Sequence, residues 1–153
     1  GQNPNALEYG TKQAQIEEFY ITDDRGVPTN AILKGTMFTI HMKVRFMDPI
    51  PAPIFAFSVK NVIGVEITGT NTMIEKAFLD SVEPGDVKNV TFTQKMNLQG
   101  GEYLVSFGLT GYSGGDFVVY HRLYDACSLV VVSSKNTVGF YDMNSEIAIQ
   151  KEE

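Results

Sequence analysis

The chain of 153 residues has no tryptophan, one cysteine, two histidines and fewer basic than acidic groups. Each scarcity excludes something. With Cys127 alone there is no internal disulfide and no multi-cysteine zinc site, and a reducing compartment is compatible with that usage. His41 and His121 stand far apart, without HxH or HExxH spacing, so a metal site would need unrelated loops to converge. Twelve Lys and Arg face 18 Asp and Glu, for a formal net charge of -6. That balance argues against nucleic acid as a partner, which calls for a basic surface. No apolar run approaches the roughly 20 residues of a membrane span. No charged-then-apolar leader opens the chain, and a start at Gly1 in place of Met is expected of a processed or cloned fragment. With 43% hydrophobic and 20% charged residues, the composition is that of a globular domain and not of a disordered or collagen-like chain. The length suits one domain with one core.

Catalytic motifs are equally scarce. There is no GxxxxGK[ST] or GxGxxG phosphate loop and no GxSxG nucleophile elbow. Cys127 lies in an apolar run without basic neighbours, the setting of a buried structural thiol. The carboxylate pairs Asp23-Asp24 and Glu152-Glu153 fall in a turn and a tail, and Gly114-Gly115-Asp116 reads as a hairpin turn. Asn89-Val90-Thr91 fits a glycosylation sequon, which matters only in a secretory compartment. No catalytic residue, metal or cofactor is expected.

What the chain does have is a period of two. Phe38, Ile40, Met42, Val44 and Phe46 alternate with Thr39, His41, Lys43 and Arg45, and Phe55, Phe57 and Val59 with Ala56, Ser58 and Lys60. Tyr103, Val105, Phe107 and Leu109 alternate with Leu104, Ser106, Gly108 and Thr110. Val90 and Phe92 continue the pattern, and residues 117–124 and 128–132 are rich in β-branched and aromatic side chains. The first run, about Gln13 to Thr22, breaks its alternation at Glu17 and Glu18, which predicts a bulge. Turn chemistry separates the runs at Asp23-Asp24-Arg25-Gly26, Asp48-Pro49-Ile50-Pro51, Glu83-Pro84-Gly85-Asp86, Gln99-Gly100-Gly101 and Ser113-Gly114-Gly115. Only Asn71 to Asp80 has room for a turn or two of helix. About eight or nine short strands at this spacing predict an all-β, immunoglobulin-like antiparallel β-sandwich. Residues 1–10, with Asn, Pro and Gly and no periodicity, read as an incoming linker, and 11–153 as the sandwich domain. After Ser133-Ser134-Lys135-Asn136, the run Val138 to Ile149 is either a last strand of the sandwich or one exchanged with a partner subunit.

Strand order of the immunoglobulin kind puts the third, fourth, sixth and seventh runs in one sheet. Its outer face then carries Ala56, Ser58 and Lys60, Glu66 and Thr68, Ser106, Gly108 and Thr110, and Tyr120 with Arg122. The centre is small and hydroxylated and the flanks are aromatic and cationic. Ser58, Lys60, Ser106, Thr110, Tyr120 and Arg122 are therefore the candidate carbohydrate-binding residues: hydroxyl, ammonium and guanidinium groups bond sugar oxygens, and a Tyr ring stacks on a pyranose. Arg122 is the principal cation, with an ion pair to Glu66 or Asp125 as its plain structural alternative. A solvated face rich in β-favouring Thr and Ser is the plain alternative for the whole set. His41, on a polar strand face with Lys43 and Arg45, reads as a surface histidine, and that opposite face is the second candidate.

Several stretches resemble a known family: Tyr9-Gly10-Thr11-Lys12-Gln13-Ala14-Gln15-Ile16, Pro53 to Val59 followed by Gly64-Val65-Glu66-Ile67-Thr68-Gly69-Thr70-Asn71-Thr72, Gly101 to Leu109, and Leu123 to Val131. Together they are similar to the C-terminal carbohydrate-binding domain of Wzt-type ATPase subunits, from ABC transporters that export bacterial O-antigen polysaccharide. The resemblance covers nearly the whole chain. It implies an immunoglobulin-like sandwich, a homodimer through exchange of the last strand, and binding to the non-reducing terminus of the O-antigen polysaccharide. It also implies an upstream ATPase half, a transmembrane exporter subunit as partner, and a cytoplasmic place at the inner face of the bacterial inner membrane. The family's contacts vary with the polysaccharide, so no site residue carries over. The departure here is the lack of Trp, which leaves stacking to Tyr, Phe or His. A protein-interaction sandwich without catalysis is the alternative reading, and a β-sandwich hydrolase the third.

Overall fold

The computed structural model describes residues 3 and 6–152. Of the segment read as a linker, residues 1, 2, 4 and 5 lie outside the described ones, as does Glu153 of the terminal carboxylate pair. The strands are β1 (Leu7–Tyr9), β2 (Ala14–Thr22), β3 (Ala31–Leu33), β4 (Met37–Phe46), β5 (Ile50–Pro51), β6 (Ile54–Asn61), β7 (Glu66–Asn71), β8 (Ser81–Val82), β9 (Val87–Lys95), β10 (Gly101–Ser113) and β11 (Asp116–Val132). They form an all-β sandwich. One sheet runs β1-β11-β10-β6-β7, with β3 added in parallel to the end of β11, and the other runs β2-β4-β9. The pair β5-β8 closes one end. The strands expected to share a sheet, β6, β7, β10 and β11, do so.

Alternation explains the packing. Along β4 every second residue is buried, from Phe38 to Phe46, and each faces the inward set of β6 and β10. Aromatic rings join the two layers: Phe19 to Phe107 at 5.1 Å and Phe57 to Phe92 at 5.0 Å between centroids. Burying one such ring is worth about 1.5–3 kcal/mol. The expected bulge in β2 is present: Ile16 pairs with Val44 and Glu18 with Lys43, which leaves Glu17 unpaired in the ladder.

Four features differ from the sequence expectation. Residues 117–124 and 128–132 belong to one 17-residue strand. Residues 72–76 form turns in place of a helix, with Asn71 Oδ1 accepting the Ile74 amide at 2.7 Å. This is Asn competing with helix through its own side chain. Leu7–Tyr9, inside the segment read as a linker, is strand β1, paired with β11. Of the two readings of Val138 to Ile149, a last strand of the copy's own sandwich is the one that differs: residues 142–152 carry no strand in the single copy, and Val138, Met143, Ile147 and Ile149 are exposed.

Candidate functional site

Two irregularities in β11 decide which of its side chains reach the outer face of the larger sheet. Against β10, the partner of Leu109 is His121 and that of Thr110 is Val119, so Tyr120 has no partner. One extra residue reverses the direction of the side chain that carries it. Tyr120 accordingly turns into the core, 3% exposed, with its ring over Gly111, and burial pushes its hydroxyl pKa up. This corrects the expectation that alternation places Tyr120 beside Arg122 on the outer face.

The second irregularity lies where Val105 pairs with Cys127 but Phe107 pairs with Leu123. The extra residues bulge, and Asp125 takes a left-handed φ of 54°. Ser106, which faces this bulge, accepts the Asp125 amide on its Oγ at 2.8 Å. The Ser106 hydroxyl is thus committed to backbone, and the residue is buried. Thr110 is also buried, opposite Ile54 at the end of the shared ladder.

The remaining outer face is ordered in rows. Tyr9, Arg122, Gly108, Ala56 and Asn71 are register partners in turn across five strands. In the next row Leu7 pairs with Tyr124, and beyond the bulge Ser106 pairs with Ser58 and Ser58 with Gly69. Lys60 pairs with Leu104 and with Glu66. Thr68 instead pairs with the inward residue Val59, because the ladder shifts between Val59 and Lys60. The floor of this trough is Gly108, Ala56, Ser58 and Gly69. Its β11 side is aromatic and cationic, and its far side polar. The Arg122 side chain lies over Gly108, its Nε 3.8 Å from where a Cβ would stand, an ordinary contact distance.

Ser58, Lys60 and Arg122 are therefore brought together on the trough, while Ser106 and Thr110 are buried in its floor and Tyr120 lies beneath it. Arg122 leans on Tyr124: its Nη1 donates to the hydroxyl at 3.4 Å, and its guanidinium carbon lies 6.0 Å from the ring centroid, a cation–π distance. Among the described residues Arg122 makes no ion pair, so its fork is not spent on Glu66 or Asp125. Asp125 instead sits 2.7 Å from Lys60 Nζ, in an ion pair out of line for a hydrogen bond. Sequence reasoning missed Tyr9, Tyr124 and Asp125. Tyr124 was within reach: it is two residues beyond Arg122, on the same period.

The opposite face, on β2, β4 and β9, has a different character. His41 stacks on Tyr20 at 4.3 Å and 8°, its Nε2 meets Thr22 Oγ1 at 2.8 Å, and burial lowers its pKa, so the ring is neutral near pH 7. Lys43 lies 3.4 Å from Glu18 and 4.0 Å from Glu17, and Arg45 pairs with Glu17. Lys43 and Arg45 of that face are paired with carboxylates; Arg122 is not. Cys127 is buried, with its thiol pKa pushed up to about 11 by desolvation. Among the described residues no group of three or more His, Cys, Asp or Glu is placed to hold a metal ion, and no helix is long and apolar enough to cross a membrane.

Residues 5–143 match the family model described as the Wzt C-terminal domain. Among solved structures, the crystal structure of the C-terminal domain of wzt superposes with a TM-score of 0.89 at 27% identity, covering 98% of this chain and 92% of that one. A Niemann-Pick type C2 protein from the Japanese carpenter ant superposes with a TM-score of 0.54 at 7% identity, over 82% of this chain and 98% of that one, which is a likeness of fold alone. No curated protein matches the chain in sequence.

Proposed function

The chain belongs to the Wzt C-terminal domain family, and from that premise we propose that it is a non-catalytic carbohydrate-binding module. It recognises the non-reducing terminal structure of a bacterial O-antigen polysaccharide and thereby selects completed chains for an ABC exporter. The observation that supports this reading most directly is the trough of small residues, Gly108, Ala56 and Ser58, bordered by a guanidinium that holds no carboxylate among the described residues and by exposed Tyr rings. A shallow floor admits a flat pyranose, the Tyr124 ring offers it a stacking face, and the Arg122 fork bonds two sugar oxygens or an anionic cap. In the exporter the module works at the cytoplasmic face of the inner membrane, tethered through its ATPase half to the transmembrane subunit. The test is retention of O-polysaccharide, capped and uncapped, on the immobilised chain. Retention of the capped form alone supports the reading, and release of reducing sugar or indifference to both forms overturns it.

The same reading includes a homodimer. Between the edge strands β7 and β9 the two sheets part in a cleft of about 1080 Å³, lined by Phe38, Phe57, Ile67, Phe78 and Phe92, with Phe140 and Tyr141 at its rim. The apolar segment that leaves this rim, with Met143, Ile147 and Ile149 uncovered, suits the cleft of a second copy. An exchanged strand there satisfies two open sheet edges and covers the exposed apolar side chains in one step.

A further inference from the structure

Both bulges that shape the trough are also the points where the segment entering the domain is fastened. At the bulge around Asp125, the Asn3 amide donates to Ala126 O at 2.8 Å and Asn3 Nδ2 to Asp125 O at 2.9 Å. At the bulge around Tyr120, the amides of Thr11 and Lys12 donate to Val119 O and Tyr120 O at 3.2 and 2.7 Å. Between these fixings lies β1, whose three residues are all exposed. Gly10, at φ 133°, lets the chain cross Tyr120 so closely that a Cβ there would sit 2.4 Å from Tyr120 O.

We infer that β1 is a wall of the glycan trough and that occupancy of the trough fastens the incoming segment to the sandwich. The inference rests on the carbohydrate-binding reading of that trough. Tyr9 is the register partner of Arg122, and Leu7 that of Tyr124, so their side chains share the face on which the ligand would lie. A sugar ring seated over Gly108 against Arg122 has the exposed Tyr9 ring as its next neighbour. A ligand that touches both β1 and β11 binds the docked arrangement better than the undocked one. By linkage, docking then raises affinity by the same factor that the ligand raises docking. Since β1 makes a ladder of only three exposed residues, with the Glu8 to His121 bond as its one tie among the described residues to a buried side chain, it belongs to the low-stability end of the fold, where such coupling is measurable. Residues 6–12 thus connect what the trough holds to whatever precedes the domain.

The probe is the polysaccharide released from the lipopolysaccharide of the source organism, with dextran as control. Hydrogen–deuterium exchange of the 153-residue chain is followed in the peptide covering residues 7–12, with and without each glycan. The polysaccharide, and not dextran, should slow exchange there by about tenfold, the size of a typical coupling. Tyr9→Ala, an exposed position, should weaken retention by about the same factor with an unchanged melting curve. If the wild-type chain retains the polysaccharide but residues 7–12 exchange at one rate, or Tyr9→Ala binds as wild type, β1 is not part of the site and the inference is overturned while the binding reading stands. If the wild-type chain does not retain the polysaccharide, the binding reading falls and takes the inference with it.

Discussion

The backbone amide of Ile16 donates to Nδ1 of His121 at 2.8 Å, joining β2 of one sheet to β11 of the other across 105 residues of sequence. Because Nδ1 accepts, the ring proton sits on Nε2, which points at Glu8 Oε1 at 2.7 Å. The carboxylate of Glu8 is held below its usual pKa by that bond and by Lys12. One buried imidazole therefore ties the bulged strand β2, the last strand and the entering segment together.

His121→Leu should destabilise the fold. It keeps the volume but leaves the Ile16 amide, in a buried residue, without its acceptor. The cost of such an orphaned donor is about 1–3 kcal/mol. Urea unfolding should show a lower midpoint with an unchanged slope. A midpoint equal to wild type would mean that water reaches the Ile16 amide and the imidazole adds nothing.

Arg122→Ala should abolish polysaccharide retention and leave the circular-dichroism spectrum and melting temperature as they are. The side chain is half-buried on the trough and holds no carboxylate, so the fold does not depend on it. Loss of a charged hydrogen bond of this kind costs about 1.5–3 kcal/mol of binding. Lys43→Ala on the opposite face serves as the comparison and should bind as wild type. The reverse pattern would move the site to the His41 face.

Cys127 should be unreactive in the native chain. Its thiol is 5% exposed and its pKa stands at about 11, so at pH 8 almost none is thiolate. Alkylation by iodoacetamide should proceed only in denaturant. Rapid native labelling would require local opening of β11 beside β10.

The sandwich was legible because its signal is a period of two, repeated over long runs such as Phe38 to Phe46 and Tyr103 to Leu109, with both faces recorded in one strand. Sheet membership followed from the order of those runs. The site was legible only in part, because the same period fails silently at a bulge. Nothing in Val119-Tyr120-His121 announces that one residue is surplus, so strict alternation places Tyr120 outside, when the core of β10 at Gly111 has a hole shaped for its ring. β1 was missed for a related reason: three exposed residues gain their strand from the partner's backbone and not from any pattern of their own. The two- and three-residue elements β3, β5 and β8 owe their place to tertiary pairing in the same way.

Acidification should loosen the start of the C-terminal segment before the rest of the domain. Asp142 is 4% exposed, lies 2.8 Å from Lys34 Nζ and 3.4 Å from Lys135 Nζ, and accepts the Asn144 amide at 2.7 Å. The Lys34 bond and then the Asn144 amide hold its pKa at about 2, below the ordinary 3.8. A lowered carboxylate pKa adds stability that is complete above about pH 3.8 and is lost as pH falls toward about 2. Protection of the amides near residues 141–144, measured against their intrinsic exchange rate at each pH, should therefore fall in that window. Asp142→Asn should show the lowered protection already at neutral pH and no further loss of it on acidification. Identical profiles for the two chains would mean that the ion pair does not anchor the segment.

A chain ending at Asn144 should be a monomer that keeps the fold. It retains Asp142 with its lysines, so the rim of the cleft stays formed, and it loses Ile147 and Ile149, which are 83% and 92% exposed in a single copy. Two such side chains per protomer, in an extended strand laid between β7 and β9, are worth about 1.5–3 kcal/mol each on burial, before the gain from pairing two open edges. That is enough to hold a dimer together once both copies exchange strands, since each dimer buries the segment twice. Sedimentation of the intact chain should give a dimer, and that of the shortened chain a monomer that keeps β1 to β11 and loses only the exchanged strand. The shortened chain should also bind a hydrophobic dye in the uncovered cleft, which the intact dimer excludes. A shortened chain that remains a dimer would place the subunit contact on another surface and leave the cleft between β7 and β9 without its strand.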